Sequence, residues 1–402
     1  MRMIYIMASL AVLMLVGCNL NLPTQPDSKK EATGRWQLAR AQVITGVGNE
    51  HLKTGDLEKA QICASEALRL SDQLVPARVL MARTLIEKGQ YGQAVDQLAL
   101  AEKISPKVAQ VHYLKGVALE KQNECEAALA SYVQAQELDS ANNAYACAAA
   151  EALVSLNRPE EAYNGLAARL EKSDGDPSML RLTGELAMLA NRPAQAVEYF
   201  QRCLDAQPDS LLVRESLAKA RYFARQYRPA VEDLAILARS DGYRDRAAWV
   251  YIMTGDCYMA LDMPRDARAA YETASGLDPA DARIWTSLAR AALSAQDPVR
   301  AASSARRALS LDARSSQALA VLGYALLRQD KADQALQELS SAGQQVPATA
   351  TLQCIQGRCL EKLGRHAEAM DCYVLALKTE PASGLAKALL ASADAKPTPG
   401  AP

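Results

Sequence analysis

An alanine that returns at a fixed interval constrains this chain more than any other feature of its sequence. Successive copies lie 34 residues apart, with one step of 37, at Ala60, Ala94, Ala128, Ala162, Ala196, Ala230, Ala267, Ala301, Ala335 and Ala369. A repeat of about 20–50 residues is typical of solenoids, in which each unit packs only against its neighbours. The period therefore predicts one extended array of about ten small units, which offers a binding surface rather than an enclosed pocket.

Small residues accompany this alanine at two further positions of each unit. Glycine or alanine stands twelve residues before it in all ten units, and alanine stands seven residues after it in seven of them. Small side chains at matched positions let two helices pack closely. Aromatic residues four positions after the alanine are expected to fill the adjacent space, at Tyr132, Phe200, Tyr271 and Tyr373. The pattern predicts two closely packed helices in each unit.

A tight turn between the two helices is predicted five residues before each alanine. Glycine, asparagine or aspartate stands there in eight units, and these residue types tolerate the left-handed conformation that ends a helix. Arg225 and Gln296 depart from this rule. Proline follows two residues later in four units, at Pro159, Pro193, Pro264 and Pro298. Because proline suits the first position of a helix, a second helix is predicted to begin there.

The resulting skeleton resembles that of the tetratricopeptide repeat. Its small and aromatic residues match Arg-Ile-Trp-Thr-Ser-Leu-Ala-Arg-Ala-Ala at 283–292, and Gly-Asp-Cys-Tyr followed by Pro-Arg-Asp-Ala-Arg-Ala-Ala-Tyr within 255–271. The resemblance implies an all-α, right-handed solenoid over 35–393, closed by a capping helix near Leu385 to Leu390, which binds proteins or peptides on its concave face. The ten units are predicted at 41–74, 75–108, 109–142, 143–176, 177–210, 211–247, 248–281, 282–315, 316–349 and 350–383.

The N-terminus carries the pattern of an export signal. Arg2 precedes an apolar run from Met3 to Val16, which as a helix would reach only about 21 Å and is too short to span a membrane. Residues 1–17 are therefore predicted to be a signal peptide. Leu-Val-Gly-Cys at 15–18 resembles the bacterial lipobox, which implies cleavage before Cys18 and lipidation of that residue. An ordinary signal peptide is the alternative.

The segments at both ends of the array are predicted to lack structure. Residues 18–34 are polar, contain proline and have no periodicity, so they are predicted to form a flexible tether. Residues 394–402 are predicted to be a disordered tail. Asn19 is not the aspartate that resembles an inner-membrane retention signal, so an outer-membrane lipoprotein that faces the periplasm is predicted.

Composition and motifs argue against several classes of function. The 45 basic and 46 acidic residues give a net charge of −1, which argues against nucleic-acid binding and against a polybasic grip on lipid. His51, His112 and His366 occupy positions that other units fill with large packing residues, so a core role is predicted for each. Catalytic, nucleotide-binding and calcium-binding motifs are absent from the sequence. A non-enzymatic protein without a cofactor or metal is predicted.

The cysteines leave two alternatives open. Cys63 and Cys203 lie among small packing residues and are predicted to be buried. Free buried thiols are favoured throughout, but a disulfide between Cys359 and Cys372 across the last helix pair is the alternative in an oxidising compartment. A metal site is disfavoured because no close Cys-x-x-Cys pair occurs.

The family resemblance implies that the first helix of each unit lines the groove. Asn49 follows Thr45 rather than the lysine of a carboxylate clamp, so recognition of an acidic C-terminal tail is disfavoured. The candidate partner-binding residues are Arg181, Glu185, Glu215, Lys219, Tyr222, Trp249, Ile252, Asp256 and Met259. Aromatic residues and methionine are typical interface anchors, and the second part of this set flanks the loop 240–245 of the 37-residue unit. A binding hot spot at this joint is one hypothesis; simple packing of Tyr222 and Trp249 is the other.

These features together predict a membrane-anchored protein-interaction scaffold in the bacterial envelope, with one or more envelope proteins or peptides bound in the groove. The architecture resembles that of tetratricopeptide-repeat lipoproteins that help assemble type IV pilus secretins or polysaccharide export channels. The alternative is an adaptor that docks or regulates peptidoglycan synthases or hydrolases. The sequence carries no signal for the partner's identity or for the oligomeric state.

Overall fold

The computed structural model describes residues 25–171, 176–243, 247–342 and 346–394, and all regular secondary structure in these ranges is α-helical. The helices are α1 (Gln25–Lys53), α2 (Leu57–Leu70), α3 (Val75–Glu87), α4 (Tyr91–Ile104), α5 (Ala109–Lys121), α6 (Cys125–Leu138), α7 (Asn143–Ser155), α8 (Pro159–Leu170), α9 (Pro177–Leu189), α10 (Pro193–Ala206), α11 (Leu211–Phe223), α12 (Tyr227–Arg239), α13 (Ala248–Ala260), α14 (Pro264–Leu277), α15 (Ala282–Ser294), α16 (Pro298–Leu311), α17 (Ser316–Arg328), α18 (Ala332–Ala342), α19 (Ala350–Lys362), α20 (His366–Thr379) and α21 (Gly384–Asp394). The predicted signal peptide, Cys18 and the tail after Asp394 lie outside these ranges.

The helices form consecutive pairs, which confirms the predicted all-α array of helix-turn-helix repeats. The C-terminal part of α1 pairs with α2, and α3 to α20 form nine further pairs, of which α9 and α10 meet where Gly184 lies against the Phe200 ring. Their first helices begin at residues 75, 109, 143, 177, 211, 248, 282, 316 and 350, which are also the first residues of units two to ten in the sequence period. The chain divides into two compact units after Met179. Within each compact unit a pair packs mainly against the next one, as in other solenoids.

The first helix begins earlier than the sequence pattern predicts, so the predicted flexible tether is helical from Gln25 onward. Lysine, glutamate and alanine at 29–32 are good helix formers, and an ion pair of 3.2 Å joins Arg35 to Glu31 one turn earlier. A polar segment can extend a helix that is already nucleated by packing at its other end, because propagation costs less than nucleation. Packing of Ala41 in the core provides that nucleus.

A final helix covers the end of the second compact unit. Helix α21 contacts both α19 and α20, and it buries Ala386 completely. Leu389 and Leu390 are half-buried against the apolar residues of that last pair. The helix therefore shields an apolar face that a further repeat would otherwise cover.

In four units the recurrent glycine of the first helix lies directly under an aromatic ring of the second helix. A Cβ atom added to Gly116 would lie 2.5 Å from a ring carbon of Tyr132, and one added to Gly255 would lie 2.6 Å from a ring carbon of Tyr271. Side-chain carbons do not approach one another this closely, so only glycine leaves room for the ring. Of the four units with alanine in place of this glycine, three have leucine at the matching position of the second helix, in the pairs Ala82 and Leu98, Ala150 and Leu166, and Ala218 and Leu234. The fourth unit has alanine at both positions, Ala289 and Ala305.

Three of the tyrosine rings also end in a hydrogen bond to the first helix. The hydroxyl groups of Tyr132, Tyr271 and Tyr373 donate to Glu120, Asp256 and Glu361 over 2.7, 2.5 and 3.0 Å. Burial and the neighbouring carboxylate raise the pKa of each hydroxyl above its ordinary value. The hydroxyls therefore stay protonated at neutral pH and act as donors. Phe200 has no such hydroxyl, and Met188 stands where Glu120 and Glu361 stand in their units.

The turn within each pair has the same backbone conformation whatever its residue. The ten turn residues all have positive φ, and this includes the two exceptions to the composition rule, Arg225 at 60° and Gln296 at 63°. A side chain is disfavoured in this left-handed region by about 1–2 kcal/mol relative to glycine. The packing of the two helices therefore imposes the turn where the local residue does not favour it.

A side chain near the start of the first helix repeatedly ties that helix to the loop before it. At the fourth position of four units, Arg78, His112, Arg214 and Trp285 donate to the backbone carbonyl six residues earlier, over 2.7, 2.8, 3.1 and 3.0 Å. His112 is only 1% exposed, which confirms its predicted core position. The core prediction is wrong for His51 and His366, because both are half-buried at helix ends.

The cysteines of the described chain are free thiols, and this includes Cys359 and Cys372. Cys203 is buried as predicted, whereas Cys63 is half-buried. Burial raises the pKa of Cys257 to about 12 and that of Cys359 to about 11. These two thiols are therefore protonated and poorly nucleophilic at neutral pH.

The contact between glycine and ring predicts opposite effects for two Gly→Ala substitutions in one repeat. Gly255→Ala should lower the free energy of unfolding by about 1–3 kcal/mol, because the added methyl overlaps the Tyr271 ring. Gly276→Ala is the control, since it lies exposed on α14 with no atom within 4 Å of its added Cβ, and it should raise stability by up to about 1 kcal/mol. Hydrogen exchange of α13 and α14 measures both effects. Equal effects of the two substitutions would contradict the overlap.

The strained turn predicts a stabilising substitution at an exposed residue. Gln296→Gly should raise the free energy of unfolding by a few tenths to about 1 kcal/mol, because relief at φ 63° exceeds the added entropy of unfolded glycine. Gln296→Ala is the matched control and should bring no such gain, since alanine keeps the Cβ atom. Chemical denaturation followed by circular dichroism gives the comparison, and equal stability of the two variants would refute the strain.

Candidate functional site

The nine candidate binding residues lie on three successive first helices of the second compact unit. Helix α9 carries two of them, α11 carries three and α13 carries four. By helix they are Arg181 and Glu185; Glu215, Lys219 and Tyr222; and Trp249, Ile252, Asp256 and Met259. Each is half-buried, so each side chain has both a packed part and an exposed part. A role of these residues in binding stays a prediction.

The charged candidates on α9 and α11 pair with one another. Arg181 forms an ion pair with Glu185, and Lys219 forms one of 2.5 Å with Glu215. Both pairs span one helical turn, and all but Glu215 are about 40% exposed. Such pairs stabilise a helix only weakly, by about 0.2–0.5 kcal/mol each. The mixed charge of these two units is thus locally balanced.

A cluster of four side chains joins the sixth and seventh pairs, and we call Glu215, Lys219, Tyr243 and Trp249 the joint cluster. The Lys219 ammonium lies 4.8 Å from the centroid of the Trp249 ring, within cation–π distance. The Tyr243 hydroxyl donates to Glu215 Oε2 over 2.6 Å. The rings of Tyr243 and Trp249 meet edge to face, with centroids 6.2 Å apart. Tyr243 comes from the extra residues of the 37-residue unit, so that insertion builds the joint.

The protonation states of the joint cluster favour these contacts at neutral pH. Burial and the hydrogen bond to Glu215 raise the pKa of Tyr243 to about 12, so its hydroxyl remains a donor. Burial opposes ionisation of Glu215, but the hydrogen bonds from Lys219 and Tyr243 outweigh it and lower the pKa of that carboxyl. Glu215 is therefore ionised and holds both of its partners.

The other apolar and aromatic candidates pack between helices. Tyr222 lies against the apolar core between α11 and α13 and meets Phe223 and Tyr227 edge to face. Ile252 and Met259 pack against the core that α14 and α15 form. Asp256 accepts the hydrogen bond from the Tyr271 hydroxyl. Packing between helices therefore accounts for part of the surface of each of these four residues.

A buried charge cluster braces the pair that precedes the joint. Asp233 on α12 is 4% exposed at its side chain, and Arg221 and Arg214 of α11 contact it at 2.5 and 3.3 Å. Burial raises the pKa of Asp233, and the two guanidinium groups oppose this rise. Arg221 also donates to Gln201 of α10 over 2.7 Å. The cluster links three successive helices beneath the candidate surface.

The sequence patterns did not single out the most exposed apolar residues of this surface. Leu189 and Leu212 are each 61% exposed and Phe223 is 59% exposed, on α9 and α11. Leu189 and Phe223 share the thirteenth position of their units. The register of the repeat could have found them, because residues that share a position recur on one face of the array. Exposed large apolar side chains that recur in this way are typical of interaction surfaces.

The described ranges contain neither a cluster of metal ligands nor a helix suited to span a membrane. Nowhere in them do three or more histidine, cysteine, aspartate or glutamate side chains come together as metal ligands would. None of the helices α1 to α21 combines the length and hydropathy that a membrane span requires.

The paired helices, the left-handed turns and the close glycine contacts define a helical-repeat protein of the solenoid class. The tetratricopeptide repeat family model matches residues 79–143, 147–210, 252–318 and 320–384, which is more than half of the chain. The chain therefore belongs to the tetratricopeptide repeat family. Members of this family bind other proteins, commonly along the surface that their stacked first helices form.

Comparison with known proteins gives one curated relative and several solved structures. The type IV pilus assembly protein PilF of Pseudomonas aeruginosa is 27% identical over 205 residues, which cover 50% of this chain and 79% of that protein. A tetratricopeptide repeat protein from Parabacteroides merdae is 18% identical, with a TM-score of 0.41 over 63% of this chain and 98% of its own. MamA of Desulfovibrio magneticus is 19% identical, with a TM-score of 0.37 over 42% of this chain and 93% of its own.

The joint cluster predicts a pH-dependent effect of Tyr243→Phe. Loss of the hydroxyl removes one hydrogen bond to the ionised Glu215 and should weaken local stability at pH 7 by about 1 kcal/mol. The contribution of Glu215 is complete above its unfolded pKa and is lost as the pH falls through its lowered folded pKa, so the deficit should narrow below about pH 4. Hydrogen exchange of α11 and α13 measures the deficit.

Tyr227→Phe is the control for this experiment. Tyr227 lies half-buried on the neighbouring helix α12, where its ring packs against Tyr222. Its substitution should change the exchange protection of α11 and α13, relative to the unsubstituted chain, by the same amount at every pH. A deficit of Tyr243→Phe that stays constant from pH 7 to acidic pH would exclude Glu215 as the relevant acceptor.

Proposed function

We propose that this protein is a membrane-anchored, non-enzymatic scaffold of the bacterial envelope that assists the assembly of a multiprotein machine. The observation that carries the proposal is the exposure of large apolar side chains on α9 and α11, the second of which also contributes Glu215 and Lys219 to the joint cluster. An apolar patch on a repeat surface supports binding of a protein segment. The two candidate machines are a pilus with its secretin and a polysaccharide export channel. The pilus is favoured because the curated relative is named as a type IV pilus assembly protein.

The proposed anchor is lipid attached to Cys18, facing the periplasm from the outer membrane. The resemblance of residues 15–18 to a lipobox supports it. Acyl chains contribute about 0.8 kcal/mol for each buried CH₂, so two or three chains hold a protein at a membrane without a spanning helix. Only six residues lie between Cys18 and Gln25, the first residue of α1, and the seven steps of about 3.5 Å bridge no more than about 25 Å. The scaffold is thus expected to stand close to the lipid.

The proposed contact surface comprises the nine candidate residues together with the exposed apolar residues beside them. In this proposal Trp249 is the central anchor, because Lys219 and Tyr243 hold its ring in place before a partner arrives. Pre-ordered aromatic side chains bind at lower entropic cost than mobile ones. Phe223 and Leu212 would extend the apolar contact along α11.

In-cell crosslinking of the full-length chain tests the proposed function directly. After detergent extraction, mass spectrometry of the attached proteins is expected to recover pilus, secretin or export-channel subunits. Recovery of peptidoglycan synthases or hydrolases instead would favour the adaptor function. Recovery of copies of this chain alone would contradict both functions and indicate a self-associating element.

Substitution of two tryptophans separates binding from folding in the same experiment. Trp249→Ala should reduce the yield of the crosslinked partner several-fold, because an aromatic anchor is lost. Trp285→Ala is the matched control on the next first helix, where the indole bonds to the Pro279 carbonyl. This control should lower stability but leave the yield unchanged once the folded fraction is equalised. If Trp249→Ala and Tyr222→Ala both retain the full yield in folded protein, the hot spot is refuted.

A further inference from the structure

The first helices of the last three pairs form a continuous layer with a different charge from the preceding ones. Helix α15 packs against α17, and α17 packs against α19. The ninth position of these units carries Arg290, Tyr324 and Arg358, where the earlier units carry Glu185, Lys219 and Asp256. The thirteenth position changes from Leu189 and Phe223 to Arg328 and Lys362 in the last two units. The same face thus changes from apolar and charge-balanced to basic along the second unit.

An open cavity of about 550 Å³ lies in this basic layer, between α17 and α19. We call it the arginine cavity, and its lining residues are Tyr324, Leu327, Arg328, Arg358, Glu361 and Lys362. A volume of this size is typical of pockets that hold a few side chains or a small ligand. Leu327 supplies an apolar wall, and Tyr324 supplies a ring and a hydroxyl group. The cavity therefore offers three cations beside a surface that can pack against carbon atoms.

The two arginines of the cavity, unlike its third cation Lys362, have no carboxylate partner in the described chain. Lys362 pairs with Asp330, and Glu361 accepts a hydrogen bond from Tyr373. Arg328 and Arg358 are both exposed, and neither forms an ion pair with a carboxylate of the described chain. Burial raises the pKa of the Tyr324 hydroxyl, and the charge of the nearby Arg358 guanidinium and its hydrogen bond to Tyr324 partly oppose this rise. Arg358 is therefore positioned beside the tyrosine of the cavity.

This local excess of positive charge is not a consequence of composition. The whole chain has a net charge of −1, and the charged residues of α9 and α11 on the same face pair with each other. Two arginines presented at one cavity match the geometry of carboxylates, because each guanidinium can donate two parallel hydrogen bonds. The basic surface is confined to one cavity and does not extend as a long stripe. Binding of a polyanion such as nucleic acid is therefore disfavoured.

We propose that the arginine cavity binds aspartate or glutamate side chains of an acidic segment in the partner protein. The proposal rests on the proposed function, since it names the chemistry of the partner at the same face. Arg328 and Arg358 hold the carboxylates, and Tyr324 and Leu327 pack against their methylene groups. Side-chain carboxylates need no lysine–asparagine clamp, so the absence of that clamp is consistent with this form of recognition.

Binding of a designed acidic peptide tests the proposal with the full-length chain in detergent. The probe is a fluorescein-labelled peptide with a repeated Glu-Leu-Ser sequence, and the reference is the same peptide with glutamine for glutamate. Fluorescence anisotropy at low salt should show that the glutamate peptide binds at least about tenfold more tightly. Equal binding of the two peptides, or no binding of the glutamate peptide, would overturn the proposal.

A charge-matched pair of variants assigns the binding to the cavity. The double variant Arg328→Glu with Arg358→Glu should lose at least about tenfold in affinity for the glutamate peptide. The control is Arg314→Glu with Lys378→Glu, which changes net charge equally at exposed residues away from the cavity and should lose little. Similar losses in both double variants would mean that overall charge, and not the cavity, attracts the peptide. Circular dichroism confirms that each variant is folded.

Two further outcomes separate this proposal from the proposed function. If the cavity variant loses peptide affinity yet keeps its crosslinked envelope partner in cells, the scaffold function stands and the partner does not use the cavity, which overturns the proposal. If phosphatidylglycerol vesicles bind the chain and this binding is lost in the cavity variant while the peptide does not bind, the site recognises lipid headgroups, which also overturns it. Loss of both peptide affinity and crosslinked partner supports the proposal.

Discussion

The close approach of two helices at a glycine or alanine is the contact on which each repeat depends. The ring of Tyr271 occupies the space where a side chain of residue 255 would otherwise stand, and its hydroxyl reaches Asp256 on the same first helix. In three units with alanine in place of the glycine, a leucine in place of the aromatic residue leaves room for the added methyl group. The spacing of the pair then determines the turn, and this explains why even Gln296 adopts a left-handed backbone.

Because contacts run between neighbouring pairs, the properties of the molecule are local. The joint cluster involves two successive pairs, and the arginine cavity lies between the ninth and tenth first helices. Each of them can change without altering the distant repeats, since stability in a solenoid is approximately a sum over units and their interfaces. A face with different chemistry along its length follows directly from this independence.

Most of the fold can be read from the sequence because the period repeats each constraint ten times. Small residues, turn residues and prolines indicate the same helix boundaries. The two turns with an atypical residue, Arg225 and Gln296, therefore do not alter the predicted boundaries. The start of α1 could not be predicted in this way. Residues 25–34 precede the first repeat, and their helix depends on propagation from Ala41 instead of on any periodic signal.

The candidate surface was less accessible to sequence reasoning than the fold. The chosen residues do lie on first helices, as the repeat register requires. The contacts of Glu215 and Trp249, however, include Tyr243, which stands in the 37-residue unit's extra segment and could not be paired with them from the repeat register. Arg328 and Arg358 could not be predicted as a site, because a lone arginine has no distinctive sequence pattern. Only the packing of α17 beside α19 shows that the two side chains share a cavity.

The pairing of glycine with an aromatic ring has a consequence for how such an array can diverge. Replacing Gly116 alone creates an overlap, and shrinking Tyr132 alone leaves a void, so either single step lowers stability. A viable intermediate between the two solutions is therefore hard to reach by point mutation. Duplication of a whole unit carries both halves of the contact together, so the array can lengthen by copying more readily than one unit can exchange its core.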